Sequence, residues 1–307
     1  MRIFLIGSIA AALCATWANV QSAAQPPRGD EKLAFDVASV KPNRSDDTPH
    51  TNVPLGSGTM YAPTGGFFSA TNFPLALYIY FAYNATGNQM KDIQASLPQW
   101  VFTERFDIQA RAPSKNPTLD EIRAMLRSLL RDRFKLGAHY ETREGPVLAL
   151  VRQRSDRLGH SLQLHPADSD CSARPPYSPA KAGASFPVVC GGILPMTPTL
   201  VGNVKRGARD VTMELVASNL GTMGNLDRPV LDRTGLNGTF DFALEWASEL
   251  PAVLSASPRP DLVDPRPDVL GPSFVEALRD QLGLKLESAK GEVRVLLIDH
   301  IEHPSAN

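Results

Sequence analysis

The sequence lacks an excess of charge of either sign. Its 307 residues include 31 lysines and arginines and 32 aspartates and glutamates, so the formal net charge is −1. Nucleic-acid binders neutralise phosphates with a surplus of basic side chains, and this chain has none. The hydrophobic share of 43% is typical of a globular protein with a core. Composition therefore argues against a nucleic-acid partner, against disorder and against a coiled coil.

Long apolar runs are also missing, apart from a short one at the N-terminus. A basic residue followed by a brief apolar stretch is typical of a secretory signal peptide and too short for a lasting membrane helix. Ser22 and Ala24 suit a peptidase site, so we expect residues 1–24 to be removed. A lipoprotein signal is less favoured because the large Leu13 precedes Cys14. We expect a periplasmic or secreted protein with no membrane span.

Cysteine is scarce, with three in the whole chain. Removal of the signal peptide leaves Cys171 and Cys190, and an even pair in an exported chain predicts a disulfide. The closed loop of about 20 residues stabilises by about 3 kcal/mol in the chain-entropy model. A metal-ligand or nucleophile role is less favoured because the sequence has no CxxC motif.

Two capping boxes mark the starts of helices. They are TLDE at 118–121 and SFVE at 273–276, and each precedes apolar residues at helical spacing. The sequences at the ends of the two helices are similar, LRDRFKL and LRDQLGL. We expect a hairpin after each helix, over 136–152 and 284–300.

Other segments correspond in the same order. The strand motif FDI at 106–108 matches FDF at 240–242, and FDV at 35–37 adds a third copy at the N-terminus. Upstream lie two apolar helices, with Asn72 and Asp210 at the expected N-caps. The order helix, strand, capped helix, hairpin therefore occurs twice and predicts an internal duplication.

This order predicts an α+β protein with two related halves, mainly antiparallel sheet, packed helices and long loops. The expected divisions are a first repeat with an added N-terminal strand, a disulfide-containing connecting loop, a second repeat, and a proline-rich insertion within that repeat. The first repeat covers 33–165 and the connecting loop covers 166–208. The second repeat covers 209–303, and the insertion covers 247–272.

Catalytic signatures are absent as well. The sequence contains neither HExxH nor GxSxG, and we expect no metal and no cofactor. His160 and His165 stand in a polar stretch and are expected at the surface. The weak catalytic candidates are carboxylates of the glycosidase type, with Trp246 as a stacking platform for a sugar, and they are Asp232, Asp241 and Glu245. The structural alternative is that Asp232 braces a turn and Trp246 closes the core.

One helix, over 73–83, is apolar on every face. Such a helix is either buried or covers a partner. Tyr78, Tyr80 and Tyr83 would let one edge of it meet water or a ligand. We therefore take these tyrosines, with Trp246, as weak candidates for ligand binding.

Four segments together resemble a known family. They are FDVASVKP (35–42), LRDRFKL (130–136), RPVLDRTGLNGTFDF (228–242) and IDHIEHPSAN (298–307). The chain resembles the soil-associated family of unknown function that is expanded in acidobacteria. The family has no established activity, so the resemblance implies no site. It implies an exported protein and, because a similar domain in some relatives follows a sensor peptidase of the beta-lactam-receptor type, an extracytoplasmic role in sensing or binding.

We therefore expect an exported module that binds or senses a small molecule, a glycan or an envelope protein. The junction of the two halves is the expected site, since repeats leave grooves where they meet. Two alternatives stay open. One is a cell-envelope hydrolase that acts on glycans through the three carboxylates, and the other is a structural envelope component that uses the apolar helix as an interface.

Overall fold

The structure is a computed structural model that describes residues 33–169, 171, 184–248 and 271–304. The predicted signal peptide and most of the predicted proline-rich insertion lie outside the described residues. All described residues belong to one compact unit. Within these ranges, no helix is long and apolar enough to cross a membrane.

Strands and helices alternate along the described chain. The strands are β1 (Val37–Asn43), β2 (His50–Thr51), β3 (Phe67–Pro74), β4 (Arg105–Arg111), β5 (Gly137–Arg152), β6 (Leu162–Leu164), β7 (Gly192–Met196), β8 (Asn203–Val211), β9 (Val230–Asp232), β10 (Phe240–Ala247) and β11 (Leu284–His300). The helices are α1 (Leu75–Ala82), α2 (Gly87–Ser96), α3 (Trp100–Thr103), α4 (Leu119–Phe134), α5 (Met213–Met223) and α6 (Phe274–Ala277), and α6 continues as a π-helical turn over Leu278–Leu282.

The strands form three sheets. The first has the order β1-β4-β3-β2 and the second has the order β6-β10-β8-β7, both antiparallel. The third has the order β11-β5-β9, in which only the short pairing of β5 with β9 is parallel. The predicted α+β class with mainly antiparallel sheet is confirmed.

The two predicted hairpins are wrong. Each segment is instead one long strand, and β5 and β11 pair with each other along their length. Gly145 and Gly291, one in each segment, stand opposite one another in this ladder. Neither segment folds back on itself, because each has the other as its strand partner.

The paired strands β5 and β11 form a two-stranded ribbon, and one hydrophobic core lies at each of its ends. One core packs α1 and α4 on the first sheet, with Phe68, Phe106 and Phe134 fully buried. The other packs α5 and the π-helical turn on the second sheet. Each sheet with its core is called a half below, and β6, which lies within the predicted first repeat, belongs to the second half. The strand β11 contributes Leu284 to the second core and Leu296 to the first, so the ribbon links the two halves through apolar contacts at both ends.

Several local features occur once in each half. Asn72 and Asp210 both have positive φ, at 62° and 54°, where a strand runs into a helix. Their predicted role as N-caps is wrong, because the N-caps are Pro74 and Thr212. Instead, each residue takes the left-handed conformation at an irregularity of the strand pairing, which Asn and Asp tolerate better than other side chains. A common origin of the halves stays a prediction.

Both predicted capping boxes are confirmed. The Thr118 and Ser273 hydroxyls accept hydrogen bonds from the backbone N–H groups three residues further on. In return, the carboxylates of Glu121 and Glu276 accept from the backbone N–H groups of Thr118 and Ser273. A third capping box, Thr86 with Gln89, begins α2 and was not among the predictions. The segment 166–208, predicted as a connecting loop, contains β7 and most of β8.

Candidate functional site

Close packing of α2 on α5 brings the halves together. A Cβ atom at Gly87 would lie 2.4 Å from Thr222 Oγ1 and 3.1 Å from the Ser218 carbonyl oxygen, so only glycine permits this approach. Lys91 Nζ then donates to the carbonyl oxygen of Leu226 (2.8 Å), just beyond the end of α5. The crossing fixes the position of α5 beside the first half.

A buried arginine holds the loop that faces α5. Arg123, on α4, is 4% exposed and donates to the carbonyl oxygens of Gly58 (2.7 Å) and Gly56 (3.4 Å). It also pairs with Asp120 at 3.1 Å and lies over the Phe81 ring. Burial lowers the pKa of Arg123, although Asp120 opposes that shift. Hydrogen bonds from a charged donor stabilise by about 1.5–3 kcal/mol, so we infer that the loop 54–60 is held firmly.

The loop 54–60, α1, α2, β7 and α5 enclose a cavity of about 340 Å³, here called the junction cleft. Its lining is mainly apolar and comes from both halves, with Leu55, Met60, Leu77, Met90, Leu194 and Leu215. The polar side chains at its wall are Ser57, Tyr80, Asn219 and Thr222. Tyr80 makes no side-chain hydrogen bond within the described part of the chain, and burial raises the pKa of its hydroxyl.

A second cavity adjoins the first. This outer groove has a volume of about 560 Å³ and shares Ile193, Asn219 and Thr222 with the junction cleft. Trp246 and Arg206 also line it. Arg206 forms no ion pair with any residue in the described ranges. The apolar cleft thus adjoins a groove that has a cationic side chain in its wall.

The predicted ligand-binding aromatics separate into different environments. Tyr78 is fully buried, and its hydroxyl lies 2.7 Å from the Phe106 carbonyl oxygen and 3.0 Å from that of Ala70. Tyr83 packs against Tyr140 and is not among the residues that line the junction cleft. Only Tyr80 and Trp246 reach the two adjoining cavities.

The three predicted carboxylates do not share one cleft. Asp232 accepts hydrogen bonds from the backbone N–H (2.9 Å) and the hydroxyl (2.8 Å) of Thr234, which is the turn-bracing alternative. Along β10, Asp241 and Glu245 face away from the core, whereas Trp246 packs into the core against Phe274. The tryptophan therefore lies on the other face of the strand from the carboxylates it was predicted to assist.

Glu245 anchors a loop. Its Oε1 accepts from the Thr199 backbone N–H and hydroxyl (both 2.8 Å), from the Leu200 N–H (3.1 Å) and from Asn203 Nδ2 (3.0 Å). Burial alone would raise the pKa of Glu245, but these hydrogen bonds outweigh burial and hold the pKa below its usual value. The carboxylate thus stabilises the folded protein in its ionised form.

The variant Glu245→Gln should therefore change how stability depends on pH. Near pH 7 we expect it to lower the free energy of unfolding by about 2 kcal/mol, since hydrogen bonds to a charged group are lost. The contribution of Glu245 is complete above the unfolded pKa of about 4.3 and disappears as the pH falls through the lower folded pKa. Urea denaturation of both proteins from about pH 7 to about pH 3 should show their stabilities converging in acid. A constant difference would contradict this role.

The remaining carboxylate, Asp241, is buried in a cluster with the disulfide. Its Oδ1 lies 2.6 Å from His165 Nδ1 and accepts from the Asp210 backbone N–H (3.1 Å), and its Oδ2 lies 3.9 Å from Arg209 Nε. On the other side, His165 Nε2 lies 3.3 Å from the sulfur of Cys171, which forms the predicted disulfide with Cys190. The disulfide is confirmed. The expected surface position of His165 is wrong, since its side chain is 9% exposed.

The family profile of a protein of unknown function (DUF3738) matches residues 76–301. The chain belongs to the DUF3738 family. The predicted resemblance to a family of unknown function is confirmed at that level. No curated protein and no solved structure matches this DUF3738 chain.

Sequence reasoning about this DUF3738 protein missed most of the junction cleft. The loop 54–60 has no periodicity, and Arg123 lies on a helix whose other arginines suggest a solvated face. One signal was available, because Gly56 and Gly58 flank a serine and mark a loop of tight turns. Nothing in the sequence indicated that this loop would meet α5.

Proposed function

We propose that this protein is an extracytoplasmic binding module for a small amphiphilic anion. The observation that carries the proposal is the apolar junction cleft, built by both halves, which shares three lining residues with a groove lined by Arg206. Small-molecule sites in proteins are typically apolar concavities with a few placed polar groups. The proposed localisation rests on the N-terminal sequence and is supported by the disulfide.

The lining suggests how such a ligand would lie. Its apolar body would fill the junction cleft among Leu77, Met90 and Leu215. Its charged end would reach the guanidinium of Arg206 in the outer groove. Because both halves contribute to the lining, a bound ligand would stabilise their junction, which suits a sensing role that passes a signal to a separate partner.

A thermal-shift screen of the purified, disulfide-bonded protein tests this proposal. We would compare sodium decanoate, decanol, short peptides and peptidoglycan fragments. Decanoate at about 100 times its Kd should stabilise the protein by about 2.7 kcal/mol. Decanol should bind more weakly, and Arg206→Gln should remove that difference. Stabilisation by glycan fragments but not by decanoate would overturn the proposed ligand class.

A further inference from the structure

The cluster of His165, Cys171 and Cys190 has the donor set of a zinc site. The ring nitrogen and the two sulfurs all lie within 4.8 Å of one another. Tetrahedral zinc binds thiolate sulfur at about 2.3 Å and imidazole nitrogen at about 2.0 Å, which places ligand atoms about 3.5 Å apart. The distance of 3.3 Å between His165 Nε2 and Cys171 Sγ is already close to that separation.

The corresponding position in the first half shows what is special about His165. In both halves, an aspartate of the central strand accepts from the backbone N–H of a left-handed residue, Asp107 from Asn72 (2.8 Å) and Asp241 from Asp210 (3.1 Å). A side chain at the end of the neighbouring strand, or just beyond it, completes each arrangement. It is an asparagine in the first half, where Asn43 Nδ2 donates to Asp107 (2.8 Å).

A single N–H donor at this position is therefore enough to hold the aspartate. His165 offers this donor through Nδ1, and its second ring nitrogen, Nε2, is not needed for that contact. When Nδ1 donates to the carboxylate of Asp241, a neutral imidazole keeps its lone pair at Nε2, and that atom faces Cys171. Histidines that bind metals usually have this hydrogen bond from the other nitrogen to a carboxylate.

We propose that the reduced protein binds one Zn²⁺ through Cys171, Cys190 and His165, with Asp241 orienting the imidazole. Water takes the fourth position. Two thiolates balance the charge of the ion, and Arg209 balances Asp241. The disulfide and the zinc site exclude each other because they use the same two sulfurs, so the cluster acts as a redox-dependent metal site.

The conversion requires a thiol or phosphine reductant. The S–S bond breaks as the two sulfurs take up two electrons and two protons. The reductant becomes a disulfide or, with the oxygen atom of a water molecule, a phosphine oxide. Zn²⁺ then replaces the two thiol protons, which pass to solvent.

Zinc titration of the whole protein tests the proposal. After reduction with tris(2-carboxyethyl)phosphine under nitrogen, the protein should take one equivalent of Zn²⁺ from a chromophoric chelator, and the disulfide form should take none. Co²⁺ in place of Zn²⁺ should give tetrahedral d–d bands with thiolate charge transfer in the near ultraviolet. The absence of zinc and cobalt binding by the reduced protein would overturn the proposal.

The matched variant is His165→Asn, which copies the asparagine of the first half. It retains a donor for Asp241 but loses the ligand, so zinc affinity should fall at least about tenfold. Asp241→Asn should lower affinity by about 10–100-fold, through loss of the orienting carboxylate. Unchanged affinity and an unchanged Co²⁺ spectrum in His165→Asn would contradict the site.

Reduction could also unfold this region, so thermal unfolding is measured in parallel. Zinc should raise the unfolding midpoint of the reduced wild-type protein and leave that of reduced His165→Asn unchanged. If the reduced protein has no cooperative transition, zinc should restore one in the wild type only. Zinc binding that restores no transition would place the metal on an unfolded chain and overturn the proposal.

Discussion

Asp241→Ala lowers the free energy of unfolding by about 3–5 kcal/mol. The side chain of Asp241 is 3% exposed and meets His165, Arg209 and the Asp210 backbone N–H. Removing the carboxylate leaves His165 Nδ1 and the Asp210 N–H without this acceptor, and breaking a buried pair from one side costs this much. Urea denaturation at neutral pH, with the disulfide intact, measures the effect. A loss under about 1 kcal/mol would contradict it.

The three copies of the FDx motif supply matched controls. Asp36 is exposed, Asp107 is half-buried and Asp241 is buried. Asp107 accepts from Asn72 and Asn43, so Asp107→Ala should lower stability by about 2 kcal/mol. Asp36→Ala should stay within about 0.5 kcal/mol of wild type. Any other ranking would show that burial and bonding of the aspartate do not determine its effect.

Gly159→Val lowers the free energy of unfolding by about 3 kcal/mol. A Cβ atom at this position would lie 2.2 Å from the carbonyl oxygen of Gln281 and 2.4 Å from the carbonyl carbon of Leu282. The two backbone segments cannot easily separate, because two hydrogen bonds join them. The Gly159 N–H donates to the Leu282 carbonyl oxygen (2.9 Å), and the Ser161 N–H donates to the Gln281 carbonyl oxygen (2.9 Å). Forcing extra atoms into such a contact typically costs 1–3 kcal/mol or more, so we expect about 3 kcal/mol.

Gly145→Val is the control for this substitution. A Cβ atom at Gly145 would have no heavy atom within 4 Å, and the residue lies in a long strand. Valine favours strands, so we expect stability to be unchanged or slightly raised. Chemical denaturation of both variants decides the question, and equal stability of Gly159→Val and wild type would refute the close contact.

Local signals in the sequence predicted local structure well. The capping boxes at Thr118 and Ser273 predicted two helix starts because each cap is formed within four residues. The pairing of β5 with β11 could not be predicted in this way, since the two segments are distant in the chain and each alone was predicted to form a hairpin. Long-range pairing is decided by which strand partners the fold brings together, and no local window contains that information.

The residues of the candidate site could likewise be predicted only where their roles depend on residue type and not on distant partners. Trp246 and Tyr80 were predicted from their residue types, and both line the adjoining cavities. The roles of Glu245 and His165 depend on partners far away in the sequence, Thr199 for the first and Asp241 for the second. Residue type therefore indicated candidates, while the contacts that define their roles became visible only in the structure.

The most direct test of the proposed binding site is calorimetric titration of sodium decanoate into three proteins. Gly56 lines the junction cleft, and a Cβ atom there would have no heavy atom within 4 Å, so Gly56→Trp adds an indole at the cleft from a position with space for its Cβ. Gly145→Trp carries the same side chain on the distant ribbon. We predict that Gly56→Trp weakens decanoate binding at least about tenfold and that Gly145→Trp leaves the Kd unchanged. Equal affinity in all three proteins would contradict a ligand site in the junction cleft.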